Sequence, residues 1–158
     1  EACKKAGIAL AYKAINEKDK VGLIVFGSEV REVVHPTSDF TQLLKEITRI
    51  KASKETDIVA TLRKSVEIFP SDTITKHLIL LTDALPTKGN EPEKSTLEEA
   101  SIARSKGITI SLIGINLDEK GRKLAEKIVE LGEGRLYVVR NLENVDQVVL
   151  EDYYSVIT

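Results

Sequence analysis

The sequence has no methionine and only one cysteine, Cys3, in 158 residues. A lone cysteine excludes a disulfide framework and a cysteine-based zinc cluster. On the apolar stripe of a predicted helix it reads as a small hydrophobe. The missing methionine, with a helical pattern that begins at the first letter, gives the expectation that the sequence starts inside a longer protein. No apolar run approaches the ~20 residues needed to cross a bilayer, and no signal-peptide pattern is present. Cytoplasmic is the expected location. An excess of charge of one sign is lacking too: 23 Lys and Arg stand against 25 Asp and Glu, a net charge of −2. With no basic stripe in addition, electrostatic nucleic-acid binding is excluded. Glutamine is confined to Gln42 and Gln147 beside abundant Lys and Glu, a balance expected of a thermophilic source.

Catalytic machinery is also lacking. The two histidines, His35 and His77, stand far apart with no partner spacing, which suits structural or surface roles. No serine lies in a G-x-S-x-G elbow, and neither a G-x-G-x-x-G turn nor a P-loop occurs. A small α/β hydrolase fails for want of a nucleophile–base pair, and the expectation is a chain that is not an enzyme.

What is present is a regular alternation. Glu1–Lys18 is a helix with Cys3, Ala6, Leu10 and Ala14 on one face and Gly7 suited to close approach to a sheet. Val21–Gly27 is apolar on both faces, the pattern of a buried strand. Val30–His35 reads as an antiparallel neighbour that Pro36 terminates. Ser38 and Asp39 are candidate caps of a helix to about Ile50, and Ile58, Leu62, Val66 and Phe69 mark another that Pro70 closes. His77–Asp83 is a second strand apolar on both faces, read as central to the sheet. Ser95 and Glu98 have capping-box spacing for a helix ending at Gly107. Ile108–Ile115 is a strand, Asp118 caps Glu119–Leu131 with Gly132 as terminator, Leu136–Val139 is a short last strand, and Asn141 caps a final helix. Strands alternating with helices give one α/β domain over residues 1–158, with a mostly parallel sheet and right-handed crossovers.

In such sheets ligands lie beyond the carboxyl ends of the strands. Two oxygen-bearing residues stand there: Asp83, which ends a strand, and Thr56, which precedes a helix. From the residues alone, Asp83 serves equally as a loop cap and Thr56 as a helix cap. A hydroxyl and a carboxylate suit Mg²⁺ or Mn²⁺, which keep bound waters and need few protein ligands.

Four segments together, K-V-G-L-I-V-F-G (Lys20–Gly27), T-D-I-x-x-x-L (Thr56–Leu62), L-I-L-L-T-D (Leu78–Asp83) and G-I-T-I-S-L-I-G-I (Gly107–Ile115), resemble a von Willebrand factor type A domain, in order along the whole chain. The resemblance implies a doubly wound, Rossmann-like sheet with helices on both faces and a metal-ion-dependent adhesion site at its top. It matches Thr56 to the family's ligand threonine and Asp83 to its aspartate. The family's D-x-S-x-S loop is absent, so the first strand and the remaining ligands are expected upstream of Glu1. That strand lies between Val21–Gly27 and His77–Asp83 in the family's order, so these two are not expected to pair directly. Lys54-Glu55 replaces the glycine pair before the threonine, and Ala84 the glycine after the aspartate. The implied function is a protein-interaction module that captures a partner carboxylate through Mg²⁺ or Mn²⁺. Ser28, Glu55, Asp57 and Leu85 supply partner-contacting surface. The partner is expected to be an ATPase or another subunit of an intracellular complex, with no role for nucleic acid or membrane; this fragment alone is expected to hold no ion. A receiver-like signalling domain with Asp83 as phosphoacceptor is the alternative. It is disfavoured because Pro86 comes one residue too early and the last strand ends in Val139-Arg140, where a receiver carries lysine.

Overall fold

A computed structural model describes residues 2–26, 30–49, 57–69, 75–82, 91–139, 150 and 153–154. Ten elements follow one another: α1 (Ala2–Asn16), β1 (Val21–Phe26), β2 (Val30–Thr37), α2 (Phe40–Thr48), α3 (Ile58–Ile68), β3 (Lys76–Thr82), α4 (Pro92–Ser105), β4 (Ile108–Ile115), α5 (Glu119–Gly132) and β5 (Glu133–Val139). The strands form two sheets: an antiparallel pair, β1–β2, and a parallel triple in the order β3–β4–β5.

The parallel triple holds the main core. Leu80 of β3 and Ile108, Ile110 and Leu112 of β4 meet Ile58 and Leu62 of α3, Ala100 and Ala103 of α4, and Leu124, Ala125 and Ile128 of α5. Three helices therefore share one face of the sheet, and alanine at the contact positions of α4 lets that helix lie close. Smaller side chains also set the second core, where Ala11 of α1 packs with Leu43 of α2 and Val34 of β2. Gly7 approaches the Ile47 side chain of α2, its missing Cβ 3.7 Å from that methyl group. The close approach expected at Gly7 is thus to a helix rather than to a sheet. The buried stripe of α1 includes Ala11 and Ala14.

Helix starts follow the cap chemistry where an aspartate is available. Asp39 Oδ1 accepts from Gln42 N at 3.1 Å and Asp118 Oδ1 from Gly121 N at 2.7 Å, each satisfying a backbone donor that the first turn leaves orphaned. The capping box at Ser95–Glu98 is not used. Helix α4 begins three residues earlier on Pro92, which suits the first helical position because it has no N–H to satisfy. Gly107 ends it with φ of +86°, the left-handed geometry expected at that position. Gly132 does not terminate α5 for its own conformation: Glu133 takes the left-handed position. A Cβ on Gly132 would lie 2.5 Å from Ile110 Cβ, so packing against β4 selects glycine there.

Two bulges explain further departures. Pro36 does not end β2; the strand runs on to Thr37. Leu23 pairs with Val34 and Val21 with Thr37, so His35 and Pro36 together oppose Gly22. A Cβ on Gly22 would come within 2.8 Å of Val34 O and 3.2 Å of Pro36 N; glycine leaves room for the extra residue, and the bulge takes the proline without breaking a ladder bond. The last strand starts at Glu133 rather than Leu136, and it too is bulged: Ile110 pairs with Glu133 and Leu112 with Leu136, leaving Gly134 and Arg135 opposite Ser111. Ser111 is fully buried. Its Oγ accepts from Arg135 N at 3.2 Å and lies 3.2 Å from His77 Nε2. The hydroxyl thus satisfies a backbone donor released by the bulge.

The C-terminal residues described return to the start of the chain. The Tyr153 hydroxyl donates to the Asp19 carboxylate, and Tyr153 is buried. Burial first, and then the Asp19 bond and charge, push its phenol above the ordinary range. The expected final helix is otherwise outside the described residues, as is its cap Asn141.

His77–Asp83 was expected to be covered on both sides. Of the described part, β3, only Leu80 and Thr82 are buried, whereas β4 is buried at every position but Thr109. The reason is partnership: β4 is paired on both edges, and β3 among the described residues on one. No pairing joins β1 to β3 among the described residues, which agrees with the expectation that they are not neighbours. Helix α3 lies across the boundary, packing on β1 and β2 and contributing Ile58 and Leu62 to the core of the triple.

Ser111→Ala tests the bulge. Removing the hydroxyl strands the part-buried Arg135 N–H and should destabilise the fold by about 1 kcal/mol. Urea denaturation is expected to show a lower midpoint with an unchanged slope; an unchanged midpoint would mean that Arg135 N–H finds another acceptor.

Candidate metal centre

The three parallel strands run the same way, so Thr82, Ile115 and Val139 finish at one edge, with Thr82 level with Gly114 and Ile115 level with Val139. After β4, Asn116 turns the chain with φ of +55°. Leu117 folds back over Gly114, where a Cβ would sit 2.2 Å from Leu117 Cδ1, and Asp118 starts α5. The start of α3 belongs to the same edge by connectivity. Its 11 residues span about 16 Å and the 7 residues of β3 about 23 Å. A short connection joins the end of one to the start of the other, so helix and strand run oppositely.

Of the residues expected at the site, Asp57 is the one that lies among the described residues. Its Oδ1 accepts from Ala60 N at 2.9 Å, and its carbonyl accepts from the Thr61 hydroxyl at 3.0 Å. Asp57 is therefore the N-cap of α3, the role that the sequence also offered to Thr56. Its carboxylate is held against the positive end of the helix, and a group so engaged is poorly placed to serve a metal as well. Thr56, Glu55, Asp83, Leu85 and Ser28 lie outside the described residues.

The described residues do not by themselves make a cation site. No group of three or more His, Cys, Asp or Glu among them is placed to hold a metal ion. Asp57 and Asp118 both cap helices. His35 is exposed on β2, and His77 lies near the start of β3, at the opposite end from Thr82, beside Ser111.

The sequence profile of the von Willebrand factor type A domain matches residues 2–86, more than half of the chain. The chain belongs to the von Willebrand factor type A family. The matched span contains both Thr56 and Asp83. Solved structures share the fold of this von Willebrand A domain across almost its whole length. An aerotolerance-related membrane protein from Bacteroides fragilis is 19% identical with a TM-score of 0.78, over 98% of this chain and 88% of that one. The vWF domain of the type V pili tip protein Mfa5 from Porphyromonas gingivalis is 13% identical with a TM-score of 0.78, over 98% and 88%. The SpRpn10 VWA domain is 12% identical with a TM-score of 0.77, over 96% and 82%. At these identities the likeness establishes the fold. No curated protein matches the chain. Among the described residues, no helix is long and apolar enough to cross a membrane.

The cap assignment has a direct consequence. Asp57→Ala should cost about 1 kcal/mol, and Asp57→Asn, which keeps an acceptor oxygen, only a few tenths. Thermal or urea unfolding distinguishes the two variants. Equal losses in both would show that the negative charge at the helix start, rather than the hydrogen bond, is what matters.

Proposed function

We propose that this von Willebrand A domain is a non-enzymatic protein-interaction module whose recognition edge is the carboxyl edge of the parallel sheet. In this reading the complete domain holds Mg²⁺ or Mn²⁺ there. The Thr56 hydroxyl and the Asp83 carboxylate are its ligands from this chain, and further oxygen ligands complete the set. A hard cation with an open coordination position supplies directional attraction for a partner carboxylate. The loops around Ser28, Glu55, Asp57 and Leu85 form the surface that surrounds the contact. Family membership over residues 2–86, a span that includes both proposed ligands, is the observation that carries the reading. The engagement of Asp57 as a cap supports it, because Thr56 then has no capping role to fill.

The partner is a protein, and the resemblance to the family's intracellular members implies a subunit of a cytoplasmic multi-subunit or ATPase-associated assembly. One neutral hydroxyl and one carboxylate compensate little of a divalent charge, and Mg²⁺ gives up hydration water reluctantly. The 158-residue chain alone is therefore expected to hold the ion weakly.

Calorimetric titration with Mn²⁺ and Mg²⁺ tests this on two proteins in parallel. The full-length protein should show a saturable site that Thr56→Ala weakens and Asp83→Asn abolishes, each with an unchanged fold. The isolated 158-residue chain should show none tighter than about 100 μM, roughly 5–6 kcal/mol of binding free energy. A tighter site in the isolated chain would mean that its own residues suffice. Absence of any site in the full-length protein would overturn the metal reading.

A further inference from the structure

A second surface lies on the α1–α2 pair. The two helices run antiparallel: Tyr12 meets Phe40, Gly7 meets Ile47, and Lys4 Nζ donates to Thr48 O at 3.4 Å. Tyr12 is 56% exposed, the most exposed large apolar side chain among the described residues. Its ring stands edge-on to Phe40, with centroids 5.5 Å apart at 76°, so the exposed ring is braced in one orientation rather than free to collapse. Lys5 precedes Tyr12 by seven residues, two helical turns, and so shares its stripe.

The charges of this face are unevenly committed. Glu17 pairs with Lys13 at 3.9 Å and Glu46 with Arg49 at 3.6 Å, while Asp39 caps α2. Lys13 is further engaged by the Tyr154 ring, 5.9 Å from its centroid. Lys5 and Lys45, both exposed, have no acidic partner among the described residues. Among the described residues the acidic groups of α1 and α2 are used internally, and Lys5 and Lys45 are left over.

We infer that the α1–α2 face docks an acidic peptide segment of a partner protein, with Tyr12 as the apolar anchor and Lys5 and Lys45 as the charge contacts. Tyrosine is favoured at interface centres because a large, stiff ring buries much area at small entropic cost, and truncating such an anchor often costs more than tenfold in affinity. The surplus lysines at the rim select the sign of the partner and speed its encounter. No metal takes part, which separates this surface from the proposed cation edge.

Fluorescence anisotropy with a short labelled peptide of glutamates and aspartates around one leucine tests the proposal, with its lysine counterpart as control. Wild-type protein should bind the acidic peptide saturably, equally well with or without chelator, and less well as salt rises. Tyr12→Ala and the double variant Lys5→Glu, Lys45→Glu should each weaken binding by about tenfold or more, whereas Tyr12→Phe should retain it. The exposure of all three positions means that circular dichroism and the melting temperature should stay as in wild type. Absence of saturable binding, equal binding of the lysine peptide, or unchanged affinity in Tyr12→Ala would each overturn the inference. Because the assay is run in chelator, its failure leaves the cation reading untouched, and failure of the cation titration leaves this surface untouched.

Discussion

The backbone hydrogen bonds of the sheet are the constraint on which the rest of the structure depends. A strand paired on one side presents a row of N–H and C=O groups on the other, and those groups need partners or water. Strand β4, paired with β3 and β5, is buried along nearly all of its length. Strands β1 and β3 each have one partner among the described residues, and their apolar side chains remain half-exposed: Leu23 and Ile24 in β1, Leu78, Ile79 and Leu81 in β3. Both sequences nevertheless carry the pattern of strands covered on two faces. Helix α3 packs on β1 and β2 and also shares the core of the parallel triple, so it links the two sheets.

The helical layer follows from the same sheet. Crossovers from β3 to β4 and from β4 to β5 place α4 and α5 on one face, and α3 joins them there. Close packing is set by what the contact residues lack. Ala100 and Ala103 admit α4, and Gly132 admits the end of α5 against Ile110. Gly134 lets β5 approach at its bulge, where a Cβ would lie 2.0 Å from Ile110 O. The bulge then frees the Arg135 N–H, and the buried Ser111 hydroxyl absorbs it. A fully buried serine in an otherwise apolar strand is thus a consequence of backbone accounting rather than of chemistry.

Local signals were legible in the sequence and long-range ones were not. Asp39, Asp118 and Gly107 act where their side chains or conformational freedom said they would, because capping depends on residues within one turn. Pro36 and Gly132 were misread as terminators because their reasons lie across the chain: a bulge opposite Gly22 and contact with Ile110. The capping-box spacing at Ser95 and Glu98 placed the start of α4 too late, since Pro92 opens it. Apolarity on both faces of His77–Thr82 correctly marked a strand but not its place in the described sheet, since pairing is not written in a strand's own letters. At the candidate site the sequence offered Thr56 as the helix cap, and hydrogen-bond geometry gives that role to Asp57.

The central claim, that β4 is the one strand partner of β3 among the described residues, is tested most directly by amide hydrogen exchange along the two strands. Successive residues of a strand point their N–H groups to opposite sides, so alternate amides of β3 should exchange on the order of a hundredfold faster than their neighbours that bond β4. Amides of β4 should be protected throughout. Protection of every β3 amide to the level of β4 would contradict the account, because it would mean that the edge of β3 is already paired in this chain.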